Sequence, residues 1–152
     1  MPTGLSAKGE AFLKKQEGYS ATLYDDSEGH ATIGWGHKVS DSSMNTKGDA
    51  EIDKYKKGVT TEAAQALFNA DVKWVVDGIR KNVNANLSVQ QFDALVSVGF
   101  NAGRSALVRS PMVKSMEGGD FAAAGTAIKT FKSSGLETRR LAEYNLFSSG
   151  VY

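Results

Sequence analysis

The sequence predicts an α+β fold in which a small antiparallel sheet near the front of the chain is followed by a bundle of helices. Strand-forming and turn-forming residues are concentrated between positions 18 and 38. After position 60, apolar residues recur mainly at helical spacing. With 152 residues, 41% of them hydrophobic and 23% charged, the chain is long enough for one compact domain or two small lobes with a hydrophobic core.

The first part of the chain predicts a short helix and then the sheet. Ser6 is suited to cap a helix that ends at Glu17, and Gly18 is suited to stop it. The strand formers that follow are Tyr19, Leu23, Tyr24, Thr32, Ile33 and Trp35, and the turn formers between them are Asp25, Asp26, Ser27 and Gly29. Residues 39–58 are polar and predict a loop with at most one strand or helical turn.

Helices are predicted for most of the remaining chain. A helix from about Thr60 to Lys81 has apolar residues at helical spacing, and it is long enough to connect two lobes. Ser88 and Gln91 form a capping-box pattern, and further helices are expected over 111–116, 120–132 and 136–147. Core positions are expected at Phe92, Phe100, Phe121, Phe131 and Phe147, whereas Trp35 and Trp74 fit either a core or a cleft.

Composition and charge exclude several classes of function. The formal net charge of +1 gives no electrostatic footprint for nucleic acid, and the absence of cysteine excludes disulfides, thiolate zinc sites and a cysteine nucleophile. No apolar run approaches the roughly 20 residues that a membrane span needs. Charged residues from Lys8 to Lys15 interrupt the segment where an export signal would need an apolar stretch, so no signal peptide is expected.

The candidate chemistry lies where the first helix meets the hairpin. Glu17 ends the helix and is expected to be half enclosed, whereas Asp26 is placed in a turn that faces solvent. Desolvation would raise the pKa of Glu17 toward the working pH and leave Asp26 ionised. Thr32 offers a hydroxyl that can hold a water molecule against Asp26. Such a pair of carboxyl groups suits the hydrolysis of a glycosidic bond, with Glu17 as acid and Asp26 assisting water.

Two other interpretations of this region are weaker. Gly34-Trp35-Gly36 lacks the third glycine of a dinucleotide fingerprint and no helix is predicted to start there, so tight hairpin packing explains it better. His30 and His37 have neither a cysteine nor a helical histidine pair beside them, and we predict no metal and no cofactor.

Two arginines near the end of the chain have a structural interpretation. Arg139 and Arg140 lie near Glu137 and Glu143 and are expected to form intramolecular ion pairs.

The chain also resembles the tailed-phage endolysin lysozymes, which are muramidases. The resemblance is carried by Glu17-Gly18, Tyr24, Asp26, Gly29 and Thr32-Ile33-Gly34-Trp35-Gly36-His37, by the helix segment from Ala66 to Val72, and by Gly135-Leu136, Arg139-Arg140, Ala142-Glu143 and Leu146-Phe147. These matches extend over most of the chain in the order of the family. The resemblance implies the phage-type lysozyme fold, with a single domain over residues 1–152. This domain is expected to have a small lobe at about 15–60 and a connecting helix at about 60–81. A helical lobe at about 82–152 is expected to pack with the N-terminal helix.

The family's site residues are carried over position by position. Glu17 is implied as general acid, Asp26 as the group that helps water attack, and Thr32 as the group that positions the water. The implied reaction inverts the sugar, for which the two carboxyl groups should lie about 6.5–9.5 Å apart. Gly36, Phe100 and Asn101 match residues that line the glycan cleft between the lobes. His37 and Asp71 match a structural pair, and Arg139 matches an arginine beside the catalytic glutamate.

The resemblance implies an enzyme that hydrolyses the β-1,4 bond between N-acetylmuramic acid and N-acetylglucosamine in bacterial peptidoglycan. A lytic transglycosylase acting on that bond and a noncatalytic wall-binding protein with the same fold are the alternatives. Asp26 and Thr32 argue against the transglycosylase, because that mechanism uses no water. We expect a monomer without nucleic-acid partners, made in a bacterial cytoplasm and reaching the periplasm or wall with the help of a membrane-permeabilising system.

Overall fold

A computed structural model describes residues 1–152 and confirms the α+β class. Three strands form the sheet, namely β1 (Ser20–Asp25), β2 (Ala31–Gly34) and β3 (His37–Lys38). The helices are α1 (Ala7–Glu17), α2 (Ala50–Lys54), α3 (Thr61–Asn82), α4 (Val89–Ala102), α5 (Arg104–Val108), α6 (Pro111–Glu117), α7 (Phe121–Thr130) and α8 (Glu137–Ser149). None of these helices has both the length and the apolar character needed to cross a membrane.

The chain divides into two compact units. One unit is Lys14–Asp71, and the other combines Met1–Leu13 with Val72–Tyr152. The division falls within α1 and again within α3, so each of these helices contributes residues to both units.

The unit Lys14–Asp71 contains the sheet, whose strands are antiparallel in the order β1-β2-β3. Tyr24 pairs with Thr32 across the first hairpin, and the register is irregular between Ser20 and Tyr24. All four residues of β2 are buried, which explains why the central strand lacks the alternation of a half-exposed strand. The predicted helical turn in 39–58 is α2, which Asp49 caps through the backbone N–H groups of its first turn.

The other unit is built mainly from α4 to α8. Helix α4 is buried over most of its length, and it begins with the predicted capping box, in which Ser88 and Gln91 bond each other's backbone N–H groups. Helices α4 and α7 both pack against α8, and α6 packs against α7. The core of this unit is therefore centred on α4 and α8, with Phe92, Leu95 and Leu146 fully buried.

Two expectations differ from the structure, and a third position left open by the sequence is now assigned. Helix α5 is not among the predicted elements, because five residues after Gly103 are too few to establish a helical period. The core assignment is right for Phe92 and Phe147 but wrong for Phe100, Phe121 and Phe131, which are only half-buried. Trp74, for which the sequence left a core and a cleft position open, is not in the core: it is 62% exposed and stacks on the Arg104 guanidinium, 3.9 Å from the ring centroid.

Candidate active site

Backbone groups in the first hairpin hold the Asp26 carboxylate. Its Oδ1 atom accepts hydrogen bonds of 2.9 Å from the backbone N–H groups of Glu28 and His30. The Asp26 backbone N–H in turn donates to the His30 carbonyl at 2.9 Å. This reciprocal pairing is the local hydrogen bonding that favours aspartate in turns. It fixes Oδ1 and directs the second oxygen, Oδ2, to within 3.8 Å of His30 Nδ1.

The same His30 carbonyl also orients Thr32. The Thr32 hydroxyl donates to it at 2.8 Å, and the residue is only 3% exposed. A hydroxyl has one proton to donate and lone pairs that accept. Because the proton is already used, the remaining capacity of the Thr32 hydroxyl is that of an acceptor.

Glu17 is the last residue of α1, and Gly18 follows it with a positive φ of 69°. The Glu17 side chain is half-buried, and its Oε2 atom is shielded from solvent. Its other oxygen, Oε1, lies against the backbone of Gly36, where an added Cβ atom would stand only 2.2 Å away. Gly36 also has a positive φ, of 66°, so both the backbone conformation and the space favour glycine there.

Tyr24 connects the two carboxylates electrostatically. Its pKa is raised above the usual value for tyrosine, first by burial and then by the negative charges of Glu17 and Asp26. Both carboxylates are therefore close enough to the Tyr24 phenol to disfavour its ionisation. At neutral pH the Tyr24 hydroxyl is therefore a neutral donor next to two acidic groups.

His37 and Asp71, the pair that the resemblance implies, are in contact. His37 Nδ1 lies 2.8 Å from Asp71 Oδ2, and the histidine ring also approaches the Tyr55 ring edge-on at 6.5 Å. This contact connects strand β3, next to Gly36, to helix α3. The pair is thus placed to hold the strand that borders the Glu17 carboxylate.

The other expected site residues, Phe100, Asn101 and Arg139, belong to the unit that contains α4 and α8. Phe100 and Asn101 lie in the last turn of α4, where Asn101 is exposed. Arg139 is nearly buried, and it donates to Glu143 Oε2 at 3.2 Å and to the Ser97 carbonyl at 3.2 Å.

The predicted ion pairs of the two arginines are confirmed, and both are made with Glu143. The Arg139 Nε atom lies 3.2 Å from one Glu143 oxygen, and Arg140 Nη1 lies 2.7 Å from the other. Glu143 and Arg140 are fully buried. Glu137 instead accepts from the Gly135 backbone N–H.

Sequence reasoning misses the part played by the His30 backbone. The sequence suggests a structural role for His30 in preference to metal binding, but it does not indicate that the His30 backbone holds Asp26 and Thr32. A usable signal is the spacing of Asp26 and Gly29, since an aspartate followed by glycine in a hairpin turn favours bonding to the backbone N–H groups just beyond it. The identity of residue 30 carries no such signal, because its backbone supplies the contacts.

Comparison with known proteins identifies the family and the fold. The Phage lysozyme family profile matches residues 14–143. The chain is 34% identical to the endolysin of Salmonella phage P22 over 95% of this chain and 98% of that protein. The endolysin from Escherichia coli O157:H7 phage FAHEc1 superposes with a TM-score of 0.79 at 28% identity, over 97% of this chain and 95% of that one. The muramidase domain of SpmX from Asticaccaulis excentricus gives 0.77 at 27% identity, over 97% and 99%.

The family match and the related solved structures define a glycoside hydrolase that degrades peptidoglycan. More specifically, the chain belongs to the phage lysozyme family.

Proposed function

We propose that the protein is a muramidase that hydrolyses the β-1,4 bond between N-acetylmuramic acid and N-acetylglucosamine with inversion at the sugar. Glu17 is the general acid that protonates the leaving oxygen, and Asp26 is the base that activates water from the opposite face. The observation that carries this proposal is the set of hydrogen bonds around His30, which holds the Asp26 carboxylate and the Thr32 hydroxyl on the same backbone segment. The half-buried Tyr24 phenol supports it too, because the negative charges of both Glu17 and Asp26 add to burial in raising its pKa.

The hydrogen bonds around His30 support the water-activating half of the mechanism. Because Thr32 donates its proton to the His30 carbonyl, a water bound to its hydroxyl must act as the donor. Asp26 Oδ1 is occupied by two backbone N–H groups, which leaves Oδ2 to accept the second proton of that water. A water that donates both protons keeps an oxygen lone pair for attack on the anomeric carbon.

The surroundings of Glu17 support its role as the acid. Its Oε2 atom is shielded from solvent, and Gly36 gives its Oε1 atom room that any other residue would remove. We include Gly36, Phe100 and Asn101 among the groups that contact the glycan. We assign His37, Asp71 and Arg139 to the support of the site, on the strength of their contacts within the two units.

Substrate and delivery follow from the relatives. Peptidoglycan is the polymer on which lysozymes act, and we propose that the chain acts on it as a monomer in the periplasm or cell wall. The name endolysin, given to the phage relatives, denotes lysis from inside the cell. We therefore propose synthesis in the host cytoplasm and passage to the wall by means of a separate membrane-permeabilising component. This dependence is tested by adding the purified protein to intact and to permeabilised cells. Only the permeabilised cells should lyse.

The catalytic assignment is tested by Glu17→Gln and Asp26→Asn. Each variant should lower the rate of lysis of purified walls by about 10²- to 10⁴-fold, the contribution expected of a general acid or base. Circular dichroism should show an unchanged fold. The matched control is Glu51→Gln, which removes an exposed carboxylate of α2 in the same unit and should leave the rate unchanged. Near-normal lysis by Glu17→Gln would refute the assignment.

Analysis of the products distinguishes an inverting hydrolase from a retaining hydrolase, a transglycosylase and a noncatalytic protein. Nuclear magnetic resonance during the first turnovers should show the α-anomer at the new reducing end. A β-anomer would point to a covalent route, for which the carboxyl groups would have to lie about 5 Å apart. Anhydro sugars detected by mass spectrometry would identify a transglycosylase, and no cleavage at all would leave the noncatalytic wall-binding protein.

A further inference from the structure

Trp35 lies in the turn between β2 and β3, directly before Gly36 in the chain. Its half-buried ring has neighbours from three segments of its own unit. The Tyr19 ring is tilted against it with centroids 4.7 Å apart, and the Phe68 ring approaches edge-on at 6.0 Å. The Lys14 Nζ atom stands 4.1 Å from the centroid of the Trp35 ring. Aromatic pairs and cation–ring contacts favour particular orientations, so these neighbours fix the direction of the ring as well as burying it.

The neighbours of the ring are themselves held in place. Phe68 belongs to the buried core, with only 1% of its surface exposed. The half-buried Lys14 donates from Nζ to Gln65 Oε1 at 2.5 Å, and Gln65 Nε2 donates to Asn69 Oδ1 at 2.8 Å. Gln65, Phe68 and Asn69 all lie in α3. The Trp35 ring is therefore supported by groups that are anchored on this helix.

These contacts connect Trp35 to the chain on both sides of Glu17. Lys14 lies three residues before Glu17 in α1, close to one helical turn, and Tyr19 follows Glu17 by two residues. Trp35 is also bonded to Gly36, whose backbone lies against Glu17 Oε1. The ring thus joins the end of the helix to the turn at the point where the turn meets the carboxylate.

On the basis of the catalytic role proposed above for Glu17, we propose that Trp35 is a positioning residue that holds the Gly36 backbone against the Glu17 carboxylate. A smaller side chain could not contact Lys14 and Tyr19 together. The turn would then be free to move away from the end of α1, and Glu17 Oε1 would lose the backbone contact that limits its position. A misplacement of about 1 Å can slow a reaction about 100-fold.

Two other roles for the Trp35 ring make different predictions. If the ring stacked directly on the glycan, its loss would raise KM and leave kcat unchanged. If the ring only filled the core of its unit, its loss would lower the melting temperature without moving Gly36 relative to Glu17. The positioning role requires a fall in kcat together with a looser contact between Gly36 and Glu17 in a folded protein.

The kinetic test uses the full chain and soluble uncrosslinked glycan strands, at a temperature where circular dichroism shows every variant to be folded. Trp35→Leu should lower kcat about 10- to 100-fold and leave KM within about twofold. Trp35→Phe keeps a ring for Lys14 and Tyr19, and it should recover most of the lost rate.

Trp74→Leu is the matched control for Trp35→Leu. It removes the other tryptophan from an exposed position in the other unit, and it should leave both kcat and KM unchanged. A normal kcat for Trp35→Leu would overturn the proposal. A change confined to KM would also overturn it, because the ring would then contact the glycan itself.

A measurement without catalysis tests the geometry. Because the Gly36 backbone borders Glu17 Oε1, Glu17→Gln should shift the amide resonance of Gly36 in ¹H–¹⁵N spectra. The same replacement should shift this resonance much less in the Trp35→Leu protein, and by the full amount in the Trp74→Leu protein. A full shift in the Trp35→Leu protein would overturn the proposal.

A second variant and the design of the two tests keep the outcomes separate. If Trp35→Leu fails to fold, Tyr19→Leu takes its place in both experiments, because it removes one contact of the ring at a residue that is 45% exposed. An unchanged kcat for Tyr19→Leu would then overturn the proposal. If Glu17 is not the acid, Glu17→Gln keeps a normal kcat. If Glu17 is the acid but Trp35 does not position it, Glu17→Gln loses its rate and Trp35→Leu does not.

Discussion

Gly36→Ala is expected to reduce activity far more than stability. A Cβ atom at position 36 would stand 2.2 Å from Glu17 Oε1, whereas ordinary contacts begin at 3.4 Å. The carboxylate therefore has to move by about 1 Å, and if Glu17 is the general acid as proposed, a displacement of that size can lower the rate about 100-fold. The Glu17 side chain is flexible at its end, so the fold can accommodate the methyl group by letting the carboxylate shift.

The cost to stability comes mainly from the backbone. Gly36 has a φ of 66°, and an alanine in this left-handed region costs about 1–2 kcal/mol. Alanine also lowers the conformational entropy of the unfolded chain, and this effect offsets about 0.4–1 kcal/mol of that cost. The free energy of unfolding should therefore fall by about 1 kcal/mol, measured by urea denaturation.

Gly48→Ala is the matched control for this experiment. Gly48 lies in the same unit and has a φ of 83°, but a Cβ atom there would meet nothing within 4 Å. Its alanine variant should lose a similar amount of stability and keep its rate of wall lysis. Equal lysis rates for the two variants would refute the reasoning, because backbone strain would then be the only consequence of the methyl group.

Three further predictions concern pH, the buried ion pairs and a helix cap. The pKa of Tyr24 is raised in the folded protein, so its neutral phenol adds stability below the ordinary tyrosine pKa of about 10. This stability is lost as the pH rises through the higher pKa of the folded state. Tyr24→Phe should remove this alkaline loss of stability, measured by thermal denaturation at several pH values. Glu143→Ala should lower the unfolding free energy by about 3–5 kcal/mol in urea, because it leaves the buried Arg140 without its carboxylate, and a loss below about 1 kcal/mol would contradict this. Ser88→Ala should lower the free energy of unfolding by about 1 kcal/mol in urea, because the backbone N–H of Gln91 loses its acceptor. Ser149→Ala is the control, because Ser149 does not cap the start of a helix.

The local geometry of the proposed catalytic residues could be predicted because its requirements are local. A helix end, a turn-forming aspartate and a strand threonine occur within 16 positions, and each residue type has a clear preference for its place. The Ser88 capping box could be predicted for the same reason, because a cap involves residues three positions apart.

What could not be predicted depends on contacts between distant segments. Arg140 meets Asn101 from another helix, and no periodicity relates the two positions. The sequence indicated that the arginines pair with acidic residues nearby, but it could not show that one of their donors extends to α4. Helix α5 was missed for a different reason, since it is shorter than two helical turns.

The backbone contacts of His30 affect how this site can vary. Main-chain atoms of residue 30 hold both Asp26 and Thr32, so the geometry is independent of the side chain at that position. A comparison of sequences would therefore give residue 30 little weight, although both groups rely on it. The imidazole that lies 3.8 Å from Asp26 Oδ2 is therefore a position where a side chain of different charge or size could be introduced without removing the backbone contacts of Asp26 and Thr32.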